Sequence, residues 1–224
     1  ERRQGRDSVR VRERADGPRD PRLAVPLLGI AASLLGQRGA QPEEGLSALQ
    51  QAQQLEFPAD LAGLRQRAAV FAARGDHDMV FATPATAAGW YRTAWATLAE
   101  SPLAGPAVAD DFFFDPAAIA VSIPAEPFTN RRGSASHFGA GFVAFEYTVT
   151  AAGRTDDVRV ADSDLPVGSL PDPVTEAFRQ ARYRPRVKGG EPVDTPGHRF
   201  ELRFSYDTGR QPRKDKFGII WEEN

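Results

Sequence analysis

The chain has 224 residues, 41% of them hydrophobic and 26% charged, with a formal net charge of -2. That is ordinary globular composition for one large domain or two small ones, and its charge does not steer it to nucleic acid or an anionic membrane. Cysteine is absent, which excludes thiol catalysis, disulfides and thiolate metal sites.

Residues 1–22 hold eight Arg and five acidic residues and almost no large apolar side chains. Such a segment buries too little surface to offset its ordering entropy, and we read it as a solvated charged arm. Because residue 1 is Glu, we expect a removed signal peptide or an N-terminal anchor upstream. The most apolar run, Leu23 to Leu35, contains Pro26 and falls short of the about 20 residues a bilayer span needs.

From residue 23 to 105 the chain reads helical. Leu27, Leu28, Ala31, Leu34 and Leu35 share one face at helical spacing, as do Leu46, Leu49, Ala52 and Leu55. Leu61, Leu64, Ala68 and Phe71 form a third face, and Trp90, Tyr91, Ala94 and Leu98 a fourth. Gly36 to Gly45 and Gly75 to Pro84 supply the breaks. An echo of roughly 36 to 42 residues suggests two degenerate helix pairs of tetratricopeptide type. A plain four-helix bundle fits the same pattern.

Residues 106–140 carry Pro106, Pro116, Pro124 and Pro127 and the run Phe112-Phe113-Phe114. We read an extended connector whose aromatics dock on a domain, with Ala118 to Ile123 as a short strand. Within 141–206, Val143, Phe145, Tyr147 and Val149 alternate with polar or small residues, which marks a half-buried strand. Ala151-Ala152-Gly153 turns the chain into a return strand with Val158 and Val160. Asp172 and Pro173 open a helix with Val174, Ala177, Phe178 and Ala181 on one face. Pro185 stops that helix, Gly189-Gly190 turns the chain, and Phe200, Leu202, Phe204 and Tyr206 alternate on a last strand. The expected fold is α+β, an N-terminal repeat-like helical domain followed by a small β-β-α-β domain, with a tail from 207 to 224.

The ordered set Gly141, then Gly153-Arg154-Thr155-Asp156-Asp157-Val158, then Phe178 through Tyr183-Arg184-Pro185, then Gly190-Glu191-Pro192-Val193, resembles the C-terminal domain of TonB-type energy transducers. The family carries a Tyr-Pro and a short helix before its first strand, where this chain has Glu126-Pro127-Phe128-Thr129-Asn130-Arg131-Arg132-Gly133. A helical domain also stands where full transducers have a long Pro-rich linker. The resemblance implies a non-catalytic periplasmic protein, anchored to the inner membrane through an upstream segment. It further implies strand addition of a partner peptide, such as the N-terminal box of an outer-membrane receptor, and energy coupling to outer-membrane transport. No cofactor or metal is expected.

The candidate contact residues are Arg154, Arg182, Tyr183, Arg184, Arg186, Arg199, Glu201, Arg203 and Ser205, a sheet edge with a basic patch beside it. Charge reversal at Arg184 and Arg186 is expected to weaken peptide capture and leave the fold intact. The alternative is a scaffold that binds through its helices and dimerises through the C-terminal module. Asp76, His77 and Asp78 are consecutive potential ligands, but turn composition explains them without a metal. His77, His137 and His198 are too dispersed for a triad, and the Asp110-Asp111 pair reads as a cap or loop.

Overall fold

The computed structural model describes residues 17–35, 42–123, 138–164 and 171–207. The charged arm before residue 17, the stretch 124–137 with Arg131, Arg132 and His137, and the tail from 208 lie outside the described residues.

Short polar side chains open three of the helical segments. Asp20 accepts the Arg22 N–H at 2.8 Å and starts a 3-10 turn, Pro21–Leu23, that runs into α1 (Ala24–Leu35). After α2 (Pro42–Gln53), Asp60 accepts the Gly63 N–H at 2.7 Å and opens α3 (Leu61–Phe81). The Thr83 hydroxyl accepts the Thr86 N–H at 3.2 Å and opens α4 (Pro84–Ala99). Each cap satisfies an amide that has no partner inside its own helix. Helix α3 packs against α1, α2 and α4. Leu23, Leu27, Ile30, Ala52 and Val70 fill the core on one side of it, and Ala68, Ala72, Met79, Tyr91 and Leu98 fill the core on the other. No helix among the described residues is long and apolar enough to cross a membrane.

The break expected from Gly75 to Pro84 shrinks to Ala82 and Thr83, because α3 continues through Gly75 to Phe81. Ala68, Ala72, Gly75 and Met79 keep one buried helical stripe. Gly75 sits under the Tyr91 ring, where any Cβ would strike the ring. The glycine serves a close helix–helix approach, and Asp76, His77 and Asp78 are buried on a helix instead of exposed on a turn.

The connector is less extended than expected. Residues Pro106–Phe112 form α5, whose leading proline occupies a position that needs no N–H. Phe113 enters the helical core, edge-on to Tyr91 with centroids 6.2 Å apart. Strand β1 follows at Ala117–Ala120.

The C-terminal module runs β2 (Phe138–Val149), β3 (Thr155–Ser163), α6 (Asp172–Gln180), β4 (Arg182–Arg184), β5 (Arg186–Lys188), β6 (Glu191–Val193) and β7 (Thr195–Asp207). Strands β3, β2 and β7 form one antiparallel sheet in that order, so β7 joins the hairpin beside its first member. Val143, Phe145, Tyr147 and Val149 point to one face, under Val174, Phe178 and Ala181 of the helical side. Three short strands intervene between α6 and β7. Strand β4 pairs with β1, and β5 pairs with β6 across Gly189 and Gly190, both at positive φ. Helix α6 ends at Gln180, so Pro185 separates β4 from β5 and does not terminate the helix.

Candidate partner-binding surface

The face of the sheet away from α6 is polar. Glu146 on β2 lies opposite Arg159 of β3 and Arg199 of β7, and it ion-pairs with Arg159. One row further, Ala144 lies between Asp162 and Glu201. Arg199 approaches Asp162 at 3.8 Å, and Glu201 accepts from Arg203 at 2.6 Å. These side chains are exposed or, for Glu146, half-exposed, so their pairs add little to stability.

The two outer strands differ. Strand β3 pairs with β2 through two register shifts and holds Asp157 at φ 51. Bulges of this kind twist an edge away from further pairing. Strand β7 pairs with β2 residue for residue from His198 to Asp207, and its other edge has no strand partner among the described residues. That edge offers a regular row of N–H and C=O groups.

The opposite end of the module is sealed against the helices. The Arg184 guanidinium forms a two-pronged pair with the Asp76 carboxylate, through Nε at 2.8 Å and through Nη2. The Tyr91 hydroxyl donates to the same carboxylate at 3.1 Å. Arg184 keeps 23% of its side-chain surface and Asp76 keeps 11%. Burial works against the guanidinium's charge, but Asp76 outweighs it and holds Arg184 more firmly protonated. Burial and then the Asp76 charge push the Tyr91 hydroxyl well above its ordinary value, so it stays a neutral donor. Next to this pair, Asp78 accepts from Trp90 Nε1 at 3.0 Å and from Arg74 at 3.3 Å.

Further contacts cross the seam. Asp110 accepts from Trp95 at 2.8 Å and from the Gly189 N–H at 2.9 Å, and the Gly189 bond first, then the Trp95 bond, hold its carboxyl below the usual range. Arg92 pairs with Glu191 at 2.8 Å. Gly153, at φ 68, lies against the Tyr183 carbonyl and 2.8 Å from Met79 Cε, measured from where a Cβ would stand. The hairpin turn thus fits between β4 and α3 only as glycine.

An antiparallel hairpin, a covering helix and a long strand returning beside the hairpin's first member coincide with a family match over residues 139–206, to the Gram-negative bacterial TonB protein C-terminal. The segment is a TonB C-terminal domain. The match leaves the helical half outside it. A comparison with curated proteins gives no match.

Within the TonB C-terminal domain, the expected contact residues separate into two groups. Tyr183 is buried, with its hydroxyl 2.6 Å from that of Tyr147. Arg184 points into the seam, so it belongs to no solvated basic patch; reversing its charge would set two carboxylates together in a site that water barely reaches. Arg182 donates to the carbonyls of Arg179, Gln180 and Ala181, which caps the C-terminal end of α6. Its burial, and then the charge of Arg154, lower its pKa. Arg186 lies over the Phe114 ring at 4.7 Å. Arg199, Glu201 and Arg203 project from the exposed sheet face, Arg154 is exposed beside the hairpin turn, and Ser205 takes its place on β7 opposite Ala140.

Asp76, the partner of Arg184, and Tyr91, which donates to that carboxylate, escaped the sequence reading as seam residues. The unbroken spacing of Ala68, Ala72, Gly75 and Met79 was the signal that residue 76 is helical. The described residues hold no group of three or more His, Asp or Glu able to bind a metal ion.

Proposed function

We propose that this TonB C-terminal domain captures an extended segment of a protein partner by strand addition along the free edge of β7. The observation that carries this is a thirteen-residue strand with one edge paired to β2 and the other open among the described residues. Main-chain hydrogen bonds supply the affinity in this mode, and alternate side chains supply the selection. The family likeness supports a non-catalytic, periplasmic role, with an outer-membrane receptor as partner and coupling to inner-membrane energy as the task.

The test is backbone amide NMR of the whole chain titrated with receptor-derived N-terminal peptides. The whole chain is needed because the seam ties the domain to the helices. Shifts confined to β7 support the proposal; no shift with any such peptide removes it. The same edge is available to β7 of a second copy, so concentration-dependent shifts on β7 without peptide would favour the scaffold and dimerisation reading.

A further inference from the structure

His77 of α3 is buried, with 4% of its surface exposed, and both of its ring nitrogens face oxygens. Nδ1 lies 3.2 Å from Asp78 Oδ1, and Nε2 lies 3.0 Å from the carbonyl oxygen of Pro42, the first residue of α2. A peptide carbonyl has no proton to give. Asp78 already receives an N–H from Arg74 at 3.3 Å and from Trp90 at 3.0 Å, so it too meets the ring as an acceptor. An imidazolium donates to both oxygens at once. A neutral ring has a single N–H and must turn a lone pair on one of them.

The packing around the ring gives it little freedom to turn away. Phe81 lies against it with centroids 4.9 Å apart. Helix α2 approaches so closely that a Cβ on Gly45 would stand 3.3 Å from His77 Cδ2 and 3.3 Å from Leu34 Cδ1 of α1. An unsatisfied nitrogen therefore reaches water only if α2 moves. Among the described residues, the charged groups set against the ring are Asp78 and, through it, Arg74, both on α3. Helix α1 offers Leu34, α2 offers Gly45 and the Pro42 carbonyl, and α4 offers the Trp90 indole through Asp78. Glu43 and Glu44 stand in the first turn of α2.

We infer that His77 is a pH-operated latch between α2 and α3, which holds the start of α2 when protonated and releases it when neutral. Bond strength decides which contact is given up. A hydrogen bond to a carboxylate outweighs one to an uncharged carbonyl, so the last ring proton stays on Nδ1 and the Nε2 lone pair faces Pro42. Imidazole changes charge between about pH 5 and 8, so the latch closes toward the acid end of that window and opens toward the alkaline end.

The experiment follows the whole chain by NMR from about pH 5 to 9, reading the His77 ring nitrogens together with the amides of residues 43–48. The expected result is a ring protonated on both nitrogens in acid and on Nδ1 alone in base, with amide shifts at 43–48 that share its midpoint. A neutral ring protonated on Nε2 overturns the inference, because the Pro42 bond would then survive. So does a ring that keeps one charge state throughout, and so do amides at 43–48 that ignore its titration. His77→Gln, which does not titrate, should abolish the pH-linked shifts at 43–48. Their persistence would assign them to Glu43 and Glu44 and sink the latch. Should that variant fail to fold, Glu43→Gln with Glu44→Gln should leave the shifts in place, and their loss would have the same meaning.

Discussion

Arginines at the two ends of the TonB C-terminal domain are put to opposite uses. At the seam, Arg184 is held by Asp76 in a crowded site under a helix layer, where each charge offsets the cost of burying the other. On the open face, Arg159 and Arg199 meet carboxylates across strands and Arg203 meets one along β7, all within reach of water. The ion-pair chemistry is the same, but water separates the outcomes. Removing one buried partner strands the other, whereas removing an exposed one costs little. The seam therefore fixes the architecture, and the open face is free to vary.

The sharpest way to break this contrast is Arg184→Met. It should cost about 3–5 kcal/mol in chemical denaturation by leaving Asp76 buried without its counter-charge, and replacing Asp76 by Leu as well should recover part of that loss. Gly75→Ala probes the seam through volume alone. Forcing a methyl group into the Tyr91 ring should lower stability by about 1–3 kcal/mol, visible as a shifted denaturation midpoint.

Acid tests the rim of the domain core. The His198 ring packs on Tyr147 and Tyr183, with centroids 5.2 and 5.7 Å away. Burial, opposed by the Asp115 charge, sets its pKa below the ordinary value of 6.5. The unfolded chain then binds the proton more readily than the folded one. The contribution of His198 is complete above pH 6.5 and is lost as pH falls from there through the lowered folded value. His198→Phe should flatten that part of the stability–pH curve. Smallest of all, Arg199→Ser on the open face should leave stability within about 0.5 kcal/mol of the original. A larger loss would show that the open face carries structural weight after all.

Much of the domain was legible because strand alternation and turn glycines are local signals. Val143 to Val149, Gly153 and the Gly189-Gly190 turn all stand where the sequence puts them. The seam was not legible, because it depends on residues 108 positions apart, Asp76 and Arg184, whose meeting no periodicity encodes. Gly75 misled for a related reason. Glycine marks a turn when its φ is the constraint and a close approach when its missing Cβ is, and the letter alone does not separate the two. The same holds for Arg182. Its place next to a helix end is visible in the sequence, but its three carbonyl partners are not.

The pairing of β1 with β4 has a mechanical consequence. A tether between two domains ordinarily absorbs the first ångströms of a pull by straightening. Here residues 117–120 are knitted into the domain they lead to, next to the Asp76–Arg184 pair. An antiparallel ladder such as β2–β7, drawn along its strands, resists in shear, with many hydrogen bonds strained at once and none opened singly. A pull on β7 would have a route into the helices through β4, through β1 beside it and through the Asp76–Arg184 pair.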